Sequence, residues 1–256
     1  MSSTPVDVLK TLFILLDCLI ISSVVYTLVT DGLPFRKELL TPWMVATLVD
    51  FYIDIIPIAV WVVYKESSWI STVFWIVLLL CFGSITTCTY IIFQLFKLSS
   101  QQMQDPFYHV LLRSHSRTGS QKEWNFSSVV AARILFTALG CLMLVTLLYT
   151  LLTDGSPFSR ELLTPWLVAT LVDFYVNIVA IAVWIAYKEA SWISAFFWIV
   201  LLVCFGSIAT CSYFVIQLFQ LSSQEPLYNV LLNGSSRLSY TKMNEGYAGF
   251  PCQPLS

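Results

Sequence analysis

Charge is what this chain has least of. Only 11% of its 256 residues are Asp, Glu, Lys or Arg, against about 25% in an average soluble domain. Hydrophobic residues make up 57% of the chain, and the mean hydropathy is +0.78. A water-soluble fold of this size has nowhere to hide so much apolar surface, so the composition points to an integral membrane protein of the endomembrane system or plasma membrane. Histidine is scarce too. His109 and His115 both lie in the polar middle of the sequence, so the apolar runs offer no imidazole to haem or zinc, and no cofactor is expected. The seven cysteines form no Cys-x-x-Cys pair, and six of them sit inside apolar runs, which excludes a secreted disulfide framework. There is no long basic run, and the net charge is −2, which leaves nothing for nucleic acid to bind. The first apolar run follows Lys10 and ends without a small-residue cleavage site, so it reads as a retained span and not a removed signal peptide.

What the sequence has is a repeat. Residues 26–101 align without a gap on residues 149–224 at a constant offset of 123, and 55 of the 76 positions are identical. The pattern divides the chain into a first repeat at 1–98, a polar linker at 99–130, a second repeat at 131–221 and a tail at 222–256, expected to be disordered from about residue 233. Each repeat shows three apolar runs, at about 10–29, 43–64 and 69–98 in the first copy and 133–152, 166–187 and 192–221 in the second. Thr41-Pro42 and Thr164-Pro165 are helix-start signals, a cap followed by a proline at the first helical position. The expected fold class is all-α, with six transmembrane helices. Three spans per copy and a linker that does not cross put the second copy in upside down, giving two inverted three-helix repeats. On that arrangement eight Lys and Arg side chains fall on the linker side and five on the other, which places the linker in the cytoplasm. It also puts the sequons at Asn125 and Asn233 on opposite sides, with Asn233 the favoured glycosylation site.

Inside the second run of each repeat sits an acid, Asp50 and its twin Asp173. A carboxylate at the centre of a membrane helix costs about 2.5–3.5 kcal/mol on insertion scales, so it normally faces a packed interior or a water-filled path. Thr47, Asp50 and Asp54 share one helix face at three- and four-residue steps, and in copy two the same face holds Thr170, Asp173 and Asn177. A second stripe on the third run carries Ser84, Thr87 and Gln94, while Gly83 and Gly206 allow close approach. These stripes serve either as hydrogen-bonding glue between helices or as a path for a proton or cation. On the inverted arrangement Asp50 and Asp173 each stop roughly 5 Å short of the midplane, and at least one is expected to be protonated at neutral pH or the pair to hold a cation. Lys65-Glu66 and Lys188-Glu189 read as interfacial end caps.

The doubled TPW-x-VATLVDFY…AVW-xx-YKE-x-SW motif, with its TDG-x-PF-xx-ELL lead, resembles plant membrane proteins grouped as domain of unknown function 1475. The resemblance implies a plant multi-pass membrane protein and brings no activity and no site residues. The residues themselves favour a small transporter or channel-like protein working through buried acids on a proton, a cation or a small solute. A membrane scaffold or assembly factor is the alternative. An enzyme acting on a lipid or terpenoid is the weakest reading, since no metal cluster or nucleophile–His pair is in view.

Overall fold

The structure is a computed structural model, and it describes residues 5–34, 36–98, 110–111, 126–156, 164–221 and 230–231. Eight α-helices make up the described fold, and no strand occurs among the described residues. They are α1 (Pro5–Asp31), α2 (Pro42–Lys65), α3 (Trp69–Phe82), α4 (Ser84–Phe96), α5 (Phe126–Asp154), α6 (Pro165–Lys188), α7 (Trp192–Phe205) and α8 (Ser207–Gln220). The helix starts follow the local signals. Thr41 accepts from the Met44 N–H and Thr164 from the Leu167 N–H, both at 3.2 Å, with a proline in the first turn each time.

Four helices, α1, α2, α5 and α6, are long and apolar enough to cross a membrane. The expected third span is not one helix. Gly83, at φ +52° and ψ −123°, stops α3 after 14 residues, and α4 runs back alongside it. Trp75 on α3 and Tyr90 on α4 have ring centroids 4.9 Å apart. In one continuous helix, fifteen residues would separate them by roughly 22 Å along the axis. Glu66, before α3, accepts from Ser71 at the start of α3 and from Tyr90 on α4, at 2.7 and 3.0 Å. The Thr86 hydroxyl reaches back to the Leu78 carbonyl at 2.9 Å. Copy two repeats the turn at Gly206, with Trp198 and Tyr213 centroids 5.0 Å apart.

Each repeat therefore crosses the bundle twice and then inserts a hairpin that enters and leaves at the same end. This overturns the expectation of six spans in inverted repeats. With an even number of crossings the second copy starts from the same end as the first, so the two copies run parallel about an axis along the bundle. Contacts between the copies agree. The Trp166 indole at the start of α6 donates to the Gly32 carbonyl after α1 at 3.2 Å, which puts the two interhelix turns at one end. At the other end Lys10, near the start of α1, lies 4.8 Å from the centre of the Phe96 ring at the close of α4. The Asn125 and Asn233 sequons are outside the described residues. The expected disordered tail from about residue 233 also lies outside the described residues.

The core forms where α2 and α6 cross the axis. Phe51, Ile55 and Ile58 meet Phe174, Ile178, Ile181 and Ile185 there, closed by Leu79 and Leu202 from the hairpins. The first helix of each copy packs against its own α4 or α8 and also against the long second helix of the other copy. Trp69, Ile70, Val73, Phe74 and Val77 leave the outer face of α3 apolar and exposed, as lipid contact requires. In a cysteine-free background, single cysteines at Ser3, Thr118 and Ser239 should react with an impermeant maleimide from one side of the membrane and a cysteine at Ser159 from the other. Labelling of Thr118 from the side opposite Ser3 would reinstate the third span.

Candidate functional site

The two hairpin tips are where the buried acids go, and each acid serves the tip of the other repeat. Asp50 lies fifteen residues before the end of α2, roughly 22 Å by helix rise, and the fourteen-residue arm α7 reaches roughly 21 Å in from that end. The match of lengths brings Asp50 to the α8 start, where its Oδ1 accepts the Ser207 N–H at 2.8 Å. Asp173 takes the twin place, accepting the Ser84 N–H at 2.9 Å and also the Ser84 hydroxyl. The first N–H groups of a helix have no partner inside it, and the helix end carries partial positive charge. A carboxylate there answers both needs. Asp50 and Asp173 are thus not joined to each other by a hydrogen bond. Each is assigned to a separate tip.

The tips accept a carboxylate because residue 83 or 206 is glycine. A Cβ on Gly83 would stand 2.4 Å from Phe51 Cζ and 2.7 Å from Asp173 Oδ2. One on Gly206 would stand 2.5 Å from Asp50 Oδ2 and 2.7 Å from Phe174 Cζ. The positive φ adds a conformational reason, since the fold asks for a backbone that a side chain opposes. The close approach read into these glycines is real, but it admits a carboxylate and a ring in place of a neighbouring helix.

The other predicted residues divide. The Thr47 and Thr170 hydroxyls bond their own helix, to the Trp43 and Trp166 carbonyls at 2.9 Å, and do not join the acids. Thr87 and Thr210 point at the tip carbonyls of Gly83 and Gly206, at 3.5 and 3.4 Å. Asp54 and its twin Asn177 are both fully buried, at 0% exposure. Neither oxygen of Asp54 and neither polar atom of Asn177 makes a well-formed hydrogen bond. Asp54 stands one helical turn from Asp50 and faces Thr210 and Cys211 on α8.

Glu66 and Glu189 are the C-caps of α2 and α6, as expected, and their side chains do more. Each receives three side-chain donors. Glu66 takes Ser71, Tyr90 and Gln94 at 2.7, 3.0 and 3.3 Å, and Glu189 takes Ser194, Tyr213 and Gln217 at 2.7, 2.7 and 3.4 Å. They tie the hairpin arms to the ends of α2 and α6. The i, i+4 spacing of Tyr90 and Gln94 was the available signal, but a partner for it appears only once the hairpin is known to return. Near the same end a cavity of about 100 Å³ lies on the axis, walled by Pro57, Ile58 and Trp61 and by Ala180, Ile181 and Trp184. The two indoles donate to the Leu111 and Leu231 carbonyls at 3.3 Å, which ties those segments to its wall. Its lining is almost wholly apolar and offers a cation no ligand oxygens.

Four membrane-length helices and two acid-capped hairpins define an all-helical protein of the multi-pass membrane type. The chain belongs to the family described as "Protein of unknown function (DUF1475)", whose model matches residues 2–118 and again residues 116–238. Each match takes in one complete repeat together with the Val-Leu segment tied to the cavity wall. No curated protein and no solved structure matches the chain.

Two stability predictions follow from the tips. Gly83→Ala meets both clash and strain and should lower stability by about 2–4 kcal/mol. Gly32→Ala has only strain, because nothing lies within 4 Å of its Cβ position, and should cost about 1 kcal/mol. Thermal melting in detergent ranks the two, and equal losses would refute the close approach. Asp173→Ala strands the Ser84 N–H and should cost about 1–3 kcal/mol, whereas Asp173→Asn keeps an acceptor and should cost less.

Proposed function

We propose that the protein carries a proton or a small monovalent cation across a membrane, with Asp50 and Asp54 as the carrier acids. The observation that carries this reading is Asp54. It is fully buried, and neither oxygen makes a well-formed hydrogen bond; the Thr210 hydroxyl that faces it also bonds the Gly206 carbonyl at 3.4 Å. A carboxylate kept only for architecture would have its partners, as Asp173 has. An acid without them at membrane depth is costly, and such residues mark ion and proton routes. The hairpins support the same reading. Broken helices inside a membrane are tolerated where protein buries them or where they line a cavity, and transporters place binding sites at such breaks.

The parallel arrangement also sharpens the orientation. By chain connectivity Arg36, Lys37 and Arg160 fall in the two interhelix turns, and the other ten of the thirteen Lys and Arg leave from the end with the termini and the linker. Positive-inside bias then puts that end in the cytoplasm. The scaffold reading has one observation in its favour, the reciprocal capping of the tips, which locks the copies together whether or not anything moves.

The test is flux in liposomes of the purified protein, with an internal pH dye and imposed proton, Na⁺ or K⁺ gradients. The wild type should dissipate at least one gradient faster than empty vesicles. Asp54→Asn should abolish that flux while melting within a few degrees of wild type, because Asn177 already fills the twin position. A wild type that passes none of the three ions would sink the transport reading and leave the scaffold.

A further inference from the structure

The two tips differ in one way that bears on binding. At the tip of repeat one, Asp173 accepts both the backbone N–H and the hydroxyl of Ser84, and the inner position beside it is the neutral Asn177. A second acid, Asp17 of α1, stands near Cys88 of the same tip, part-exposed, with one oxygen 3.5 Å from the Thr89 hydroxyl and the other buried without a partner. At the tip of repeat two the inner position is Asp54. The Ser207 hydroxyl there faces Asp50 within hydrogen-bonding reach, as the Ser84 hydroxyl faces Asp173. Both oxygens of Asp54 are buried without a well-formed hydrogen bond, beside a tip to which Asp50 already contributes a carboxylate.

Repeat one sets Asp173 against its helix N-terminus with the part-exposed Asp17 nearby, whereas repeat two sets Asp50 there and adds Asp54, which is fully buried. A fully buried second carboxylate is not screened by solvent, and the remedy is one positive charge. A divalent ion would overshoot, and among the described residues no group of three or more His, Cys, Asp or Glu is assembled to hold one.

We infer that the repeat-two tip, built from Asp50, Asp54, Ser207 and Thr210, binds a single monovalent cation per chain, Na⁺ or a proton, while the repeat-one tip is a permanent latch that binds none. The inference rests on the same Asp54 as the transport reading and assigns it a stoichiometry and a side. Beside Asp54 the titratable groups among the described residues are Asp50 on its own helix and Cys211 on α8, with Thr210 the neighbouring hydroxyl. Both sources of charge use the same oxygens, so they compete.

The experiment has two arms on the full chain in detergent. The first measures melting in NaCl against N-methylglucamine chloride at pH 8. The second follows the infrared band of protonated carboxyl groups from pH 5 to pH 9. A sodium site gives several degrees of Na⁺-specific stabilisation, and a proton site gives a carboxyl band of one group per chain. Either signal must vanish in Asp54→Asn, whose fold is checked by near-ultraviolet circular dichroism. Asn177→Asp, if it folds, should double the signal. Neither signal in the wild type, a signal unchanged in Asp54→Asn, or two groups titrating per wild-type chain would each overturn the inference. Binding without liposome flux would leave the site standing and remove the transport reading. Wild-type flux that Asp54→Asn abolishes, with neither binding signal in the wild type, would do the reverse.

Discussion

The hydrogen bond from a hairpin tip to an acid of the opposite repeat is the contact on which the rest of this architecture depends. Each tip exposes backbone donors at a depth where water does not arrive to satisfy them. An acid on the hairpin's own repeat does not supply them. Asp50 answers Ser207, and Asp173 answers Ser84. From this follow the glycines, which leave room for the carboxylate and for the ring of Phe51 or Phe174 beside it. The packing of α2 against α6 and α8 follows as well, since Asp50 meets its target only if those helices lie together.

Much of the local structure was legible in the sequence. The caps at Thr41 and Thr164, the membrane-length helices and the twofold repetition all stand where their signals put them. The third apolar run was misread because hydropathy is blind to direction. Thirty apolar residues look the same whether they cross once or go in and come back. The clue was Gly83, read as a surface for a neighbouring helix when it is a reversal point. That one misreading inverted the second copy, since the parity of the crossings sets the orientation of all that follows.

The candidate site was legible only in its members. Asp50, Asp54, Asp173 and Asn177 announce themselves as polar residues in apolar helices, yet one-dimensional spacing cannot say that the acids part company. Periodicity grouped Thr47 with Asp50, but a threonine one turn away bonds its own helix and the acid looks elsewhere. Glu66 was missed for the complementary reason. Its donors lie in two hairpin arms, and only the fold brings Ser71 and Tyr90 to the same carboxylate.

The parallel relation of the copies has a consequence for chain architecture. A family match that fits one repeat at a time raises the prospect of half-length chains built on the same plan. Such a chain carries one hairpin it cannot cap and one acid with nothing to cap. Two identical copies inserted in the same direction exchange these and complete each other, with no need for one of them to enter the membrane upside down. For this architecture the smallest self-sufficient unit is a pair, and fusion into one polypeptide frees the two halves to become unequal, as Asp54 and Asn177 already are.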